Sequence, residues 1–191
     1  VLDAIGTDDA GEPYGLVGSD CIENGTDCLG DNQDTDAYRF GVVGKLDTTQ
    51  TVFMAGVDHT RTRNASYVSL AVYDMSDFTG VASLSQTNRR EVGFGSGALS
   101  GSAERMLKAI GKYRGASARL RAALPRLYVA AASRNCLSDF CDTCVDLSDT
   151  DTLPLSSLVA FTQRAYVKPG KTTGADPDAM LTPVLVFRPR G

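Results

Sequence analysis

Between positions 37 and 86, apolar and polar residues alternate in short runs divided by turn-forming clusters. Alternation with period two over four to eight residues marks a strand with one buried face. It is clearest at 65–74, where Val68, Leu70 and Val72 interleave with Tyr67, Ser69, Ala71 and Tyr73, giving one aliphatic face and one that carries tyrosines. AYRFGVVGKL at 37–46, QTVFMAGVDH at 50–59 and FTGVASLSQ at 78–86 complete four predicted strands, separated by LDTT, by the polar TRTRN turn and by a turn at 74–77.

The period changes after Gly101. Wound at about 100° per residue, 102–124 places Met106, Leu107, Ile110, Tyr113, Leu120 and Leu124 on one face and Arg105, Lys108, Lys112 and Arg119 on the other. The pattern predicts one amphipathic helix whose apolar face caps the strands. Gly111 and Gly115 each cost about 1 kcal/mol relative to Ala inside a helix, so a break near GKYRG is allowed, and Pro125 ends the helix.

RLYVAAAS at 126–133 returns to strand character, followed by a loop with three cysteines that runs to 152. LSSLVAFTQRAYV at 155–167 fits either period; Val159, Phe161, Tyr166 and Val167 tip it to strand. A turn-rich stretch at 168–180 leads to a last predicted strand, TPVLVFRP, at 182–189. Seven or so strands with one inserted helix predict a mainly β fold, a single β-sandwich or jelly-roll-like domain over 37–191 with the helix inserted at 101–125. No internal repeat interrupts it.

Charge divides this picture unevenly. The whole chain carries −4, yet 101–126 holds seven basic residues against Glu104 alone, and 1–36 holds ten acids with no Lys or Arg. The first 36 residues, with six glycines and little apolar periodicity, read as an extended acidic arm. The arm and the basic helix form a complementary pair, and this sets the expectation that the arm docks on the helix of its own or a neighbouring subunit. A sequence pI near 5.0 and the lack of aromatics among the basic residues argue against nucleic acid as the partner. No run approaches the roughly 18 apolar residues of a membrane span.

Five cysteines, Cys21, Cys28, Cys136, Cys141 and Cys144, lie in two local clusters within Asp/Gly/Ser-rich sequence, and Asn24 and Asn64 open Asn-x-Ser/Thr sequons. With a first residue of Val1 and no basic-then-apolar leader, these features set the expectation of a processed, secreted or surface-displayed protein. Disulfides are the favoured fate of the cysteines: Cys21 with Cys28, or either of them with the 136–144 loop, and two of the three later cysteines with each other. The spacing C-x4-C-x2-C matches that of plant-type ferredoxins, but no fourth cysteine follows Cys144. The sole histidine, His59, gives zinc no second imidazole.

No signature for a catalytic cofactor is complete. Asp27, Asp31, Asp34 and Asp36 offer closely spaced oxygens of the kind calcium accepts, without the glycine and terminal glutamate of an EF-hand. Gly93, Gly95, Ser96 and Gly97 have neither the nucleophile-elbow register nor a Walker ending, so a glycine hinge is the reading there. The function expected is therefore that of a non-enzymatic structural or interaction subunit. Binding of an anionic or carbohydrate ligand through Arg105, Lys108, Lys112 and Arg119 is the alternative, and an enzyme of unknown type is the third reading, which a deep pocket holding His59 with an Asp partner would favour.

Overall fold

The computed structural model describes residues 37–76, 79–85, 99–136, 143–166, 168–171 and 175–189. In chain order it contains β1 (Ala37–Lys45), β2 (Gln50–Val57), β3 (Tyr67–Asp74), β4 (Thr79–Ser85), α1 (Ser102–Ala109), α2 (Ala118–Ala123), a 3-10 turn (Leu124–Arg126), β5 (Leu127–Ser133), β6 (Cys144–Asp146), β7 (Leu158–Tyr166), a second 3-10 turn (Pro177–Ala179) and β8 (Val184–Pro189). The acidic arm, with Cys21, Asn24, Cys28, Asp27, Asp31, Asp34 and Asp36, lies outside the described residues, as do the 93–97 glycines and Cys141.

The strands form two four-stranded sheets, ordered β1-β7-β3-β4 and β6-β5-β2-β8. Pairing is antiparallel except for β5 with β6. Both sheets contribute to one apolar cluster: Leu70, Val72, Leu84, Val159 and Phe161 from the first, Val52, Met54, Tyr128, Ala130, Ala132 and Val145 from the second. As the alternation at 65–74 predicts, Val68, Leu70 and Val72 are all buried, while on the opposite face Tyr67, Ala71 and Tyr73 are half-exposed; Ser69, between them, is buried against the prediction. Tyr67 faces Tyr166 across the β3–β7 register with ring centroids 5.2 Å apart.

The tyrosine-to-amide contact between the sheets is polar. The Tyr128 hydroxyl on β5 donates to Gln163 Oε1 on β7, with both side chains fully buried. Gly56 on β2 is what makes room for it, since a Cβ at that position would stand 2.6 Å from the Tyr128 oxygen. Burial lifts the Tyr128 hydroxyl well above its ordinary pKa, with the nearby Asp58 charge acting in the same direction.

The segment expected as one helix over 102–124 is two. Gly111 adopts φ +68, a left-handed conformation that suits glycine, and the Lys112 and Tyr113 N–H groups fold back onto the Leu107 carbonyl. The chain re-enters helix at Ser117, whose hydroxyl accepts the Leu120 N–H. The Arg121 guanidinium closes the intervening turn on the carbonyls of Arg114 and Ala116.

The cysteine-rich loop also holds a strand that was not expected. β6 runs parallel to β5 over Ala131–Ser133, and Cys136 is bonded to Cys144 across the connection, with Cα atoms 5.9 Å apart. Closing a loop of this length is worth about 2.5 kcal/mol in the chain-entropy account. Because the disulfide takes the two outer members of the ferredoxin-like spacing, those two sulfurs are not free to hold a cluster.

At the end of β5 the chain buries Arg134. Its Nε donates to the Leu46 carbonyl at 2.7 Å, Nη1 to the Leu153 and Leu147 carbonyls at 2.7 and 3.2 Å, and Nη2 to the Pro154 carbonyl at 2.9 Å. A planar guanidinium with five fixed N–H donors can gather carbonyls from three separate stretches in this way, whereas a lysine ammonium cannot.

Candidate functional site: an apolar groove beneath the basic helices

The outer face of the β6-β5-β2-β8 sheet is as apolar as its inner one. Along β2 and β5, the residues that alternate with the core are Phe53, Ala55 and Val57, and Leu127, Val129 and Ala131. A sheet apolar on both faces needs cover on both. α1 supplies part of that cover by packing on β5 through its first turn, where Ser102 and Ala103 are buried. The Ser102 hydroxyl accepts the Val129 N–H at 2.8 Å, at a level of β5 beyond the reach of β6, whose pairing begins at Ala131.

The cover is incomplete. Between α1, α2, the 3-10 turn that follows and the strands lies a cavity of about 400 Å³, open to solvent on one side. Met106 and Leu107 of α1, Leu120 and Leu124, Leu127 of β5, and Leu181 with Val184 form its principal walls. The expectation that the apolar helical face caps the strands is thereby corrected. Of its six residues only Leu124 is fully buried, and Ile110 and Leu120 remain 42% and 38% exposed. The turn at 110–116 interrupts the helix between Met106 and Leu107 on one side and Leu120 and Leu124 on the other, and these side chains stand around the cavity instead of filling it.

The apolar surface continues beyond the cavity. Leu181, Val184 and Val186 are between 50% and 64% exposed, and β8 is the margin of its sheet; Phe187, 48% exposed, pairs with the core residue Val52 and belongs to the opposite face. Margin strands are ordinarily protected by charge, proline or a bulge. Here Arg188 and Pro189 end the strand, while Val184-Leu185-Val186-Phe187 has no charged residue.

His59 fixes one wall of the groove. It is fully buried in the turn after β2, and its Nε2 accepts the Leu181 N–H at 3.2 Å, which requires that nitrogen to be unprotonated. Its carbonyl accepts the N–H groups of Asn64 and Ala65. Asn64 donates its side-chain amide to the Ala179 carbonyl at 3.0 Å, so both His59 and Asn64 tie the 58–66 turn to the segment that presents Leu181. The adjacent Asp58 is directed elsewhere: one carboxylate oxygen accepts from the Thr60 N–H and hydroxyl, the other from Ser100 Oγ. His59 is not among the residues that line the cavity.

The four basic residues singled out by periodicity are not equivalent. Arg105 donates to the Ser100 carbonyl at 2.7 Å. Lys108 pairs with Glu104 at 2.7 Å and lies 5.1 Å from the centre of the Tyr113 ring, and the Glu104 hydrogen bond and charge raise its pKa. Lys112 and Arg119 are exposed and, among the described residues, make no ion pair. The described residues contain no group of three or more His, Cys, Asp or Glu side chains placed to hold a metal, and no described helix is long and apolar enough to cross a membrane.

What sequence reasoning missed is the strand side of the groove. The available signal was that VFMAGV and LYVAAA are apolar at consecutive positions, and so imply cover on both faces. Comparison of the chain with protein-family models, with curated proteins and with solved structures found no match.

Proposed function

We propose that this chain is a non-enzymatic interaction subunit of an extracellular or surface assembly, a β-sandwich whose basic helix pair receives the acidic arm of residues 1–36. The observation that carries the reading is the open apolar groove beneath those helices, together with Lys112 and Arg119 left exposed at their surface. A cavity of about 400 Å³ is within the range of roughly 300–1,000 Å³ typical of ligand sites, and its apolar lining favours a side chain over a sugar or a phosphate. The segment that frames the groove carries +6 and the arm −10, so the attraction between them is of opposite charges. Individual exposed ion pairs are worth only about 0–1 kcal/mol, so docking by charge alone requires many of them and is sensitive to salt. The Cys136–Cys144 bond and the sequons at Asn24 and Asn64 support a secreted setting.

Sedimentation of the full chain at high protein concentration is the test. The expected result is association at low ionic strength that weakens as salt is raised and is lost with Lys112→Glu/Arg119→Glu. A chain that stays monomeric at low salt, and is unchanged by removal of the arm, overturns the reading.

A further inference from the structure

We infer that the apolar groove is filled by the chain's own arm, with residues 14–17 (Tyr-Gly-Leu-Val) as the anchor; this rests on the reading that the arm docks on the basic helices, and names the contact it makes there. Acidic side chains can neutralise the helices, but they cannot fill a cavity walled by leucines and Met106. The occupant must bring apolar groups together with its charge. Within 1–36, positions 14–17 hold three large apolar residues in four, bracketed by Glu12 and Asp20. In an extended segment Tyr14 and Leu16 share a face, so both can enter the groove from one side.

The position from which the arm departs points to the same place. β4 and β6, one edge strand from each sheet, are in contact, which leaves β1 and β8 as the other two margins. β1 begins at Ala37, opposite Ala165. Ala165 belongs to an apolar cluster with Met180, and the next residue, Leu181, is a wall of the groove. The arm therefore leaves the fold at the end that presents the groove. Some twenty residues separate Val17 from Ala37, and an extended chain of that length reaches roughly 60 Å. The radius of gyration of a domain of this size is about 15 Å, so the tether is ample.

A tether of this kind holds its own anchor at an effective concentration near millimolar, which favours the groove of the same chain over that of a neighbour. The outer side of β8 has no strand partner among the described residues, so an extended arm can also hydrogen-bond along it and cover Val184 and Val186. At the high protein concentration of the sedimentation test the same contact is exchanged between neighbours, as in domain swapping, so the chain associates there while each groove stays filled on dilution by its own arm.

The chain contains no tryptophan, so Leu16→Trp in the full-length protein places a single indole at the proposed anchor, and Thr7→Trp provides an arm position outside it. The expected result is blue-shifted emission from Leu16→Trp and acrylamide quenching several-fold weaker than for Thr7→Trp, unchanged on dilution. Adding Leu120→Asp, a partly exposed wall position whose substitution is expected to leave thermal unfolding intact, should abolish both effects. Solvent-like emission from Leu16→Trp overturns the inference. So does shielding that disappears on dilution, which assigns the groove to a second copy, and so does shielding indifferent to Leu120→Asp. If salt-sensitive association persists while Leu16→Trp remains solvent-like, the anchor is wrong and the charge-driven reading stands. If association and shielding are both absent, both fail.

Discussion

Replacing Arg134 with alanine tests whether one buried cation organises the ends of three elements. The guanidinium donates four hydrogen bonds to the carbonyls of Leu46, Leu147, Leu153 and Pro154, and the side chains of the first three are themselves core residues. A hydrogen bond to a charged group contributes roughly 1.5–3 kcal/mol, and a buried acceptor left unpaired costs about 1–3 kcal/mol. Those terms do not add across a shared donor, and part of the loss is offset because the guanidinium no longer has to be desolvated. The net expected for Arg134→Ala is about 3–5 kcal/mol, a large share of the 5–15 kcal/mol typical of a whole domain. Arg134→Lys keeps the charge but lacks the planar fork, and should cost about half as much. The assay is urea unfolding under non-reducing conditions, in which a shift of the midpoint at constant slope reports stability. A change below about 0.5 kcal/mol in Arg134→Ala would refute the reasoning, because a substitution of that size is what an uninvolved surface position gives.

Tyr128→Phe removes the one hydroxyl that reaches Gln163 across the core, and should cost about 1–3 kcal/mol; combining it with Gln163→Leu should recover part of that, and a double-mutant cycle with no coupling would contradict the contact. At Asp74, burial pushes the carboxyl up, but the Ser76 N–H, the Ser157 hydroxyl and the Ser76 hydroxyl outweigh it and hold the group below its ordinary 3.8. A lowered folded pKa means that this stability is present above 3.8 and is lost as pH falls through the folded value. Ser157→Ala should therefore lower stability near neutrality by about 1 kcal/mol and flatten its decline below pH 4; an unchanged acid slope in thermal melts would count against it.

Strands with one wet face were legible because alternation is the direct imprint of one-sided burial, as in the alternation of Val68, Leu70 and Val72 with tyrosines. β7 read ambiguously for a physical reason. It is central in its sheet and Val159 through Gln163 are buried on both faces, so the period that would separate strand from helix is erased. β6 was invisible because three residues carry no period, and because a parallel partner is reached through a crossover connection, here residues 134–143, and not by a hairpin turn. For the helix, the glycine positions announced where it breaks, but not that the two pieces would stand around an open cavity. Arg134 gave no signal at all. Its partners are backbone carbonyls, which every residue possesses, so no pattern of side chains marks the place. His59 stood out as the sole histidine, yet its role as an acceptor for Leu181 depends on a turn more than a hundred residues later in the chain.

The pairing of the first two strands with the last two has a consequence for how the protein is made. β1 lies against β7, and β2, which pairs with β5 on one side, meets its other neighbour only in β8, so both opening strands depend on partners far along the chain. Such long-range pairing delays folding and leaves strand edges unsatisfied meanwhile. Both sheets are therefore complete only once β7 and β8 have been made. Without β8, the outer side of β2 has no strand partner and the core positions Val52 and Met54 lie along a bare edge.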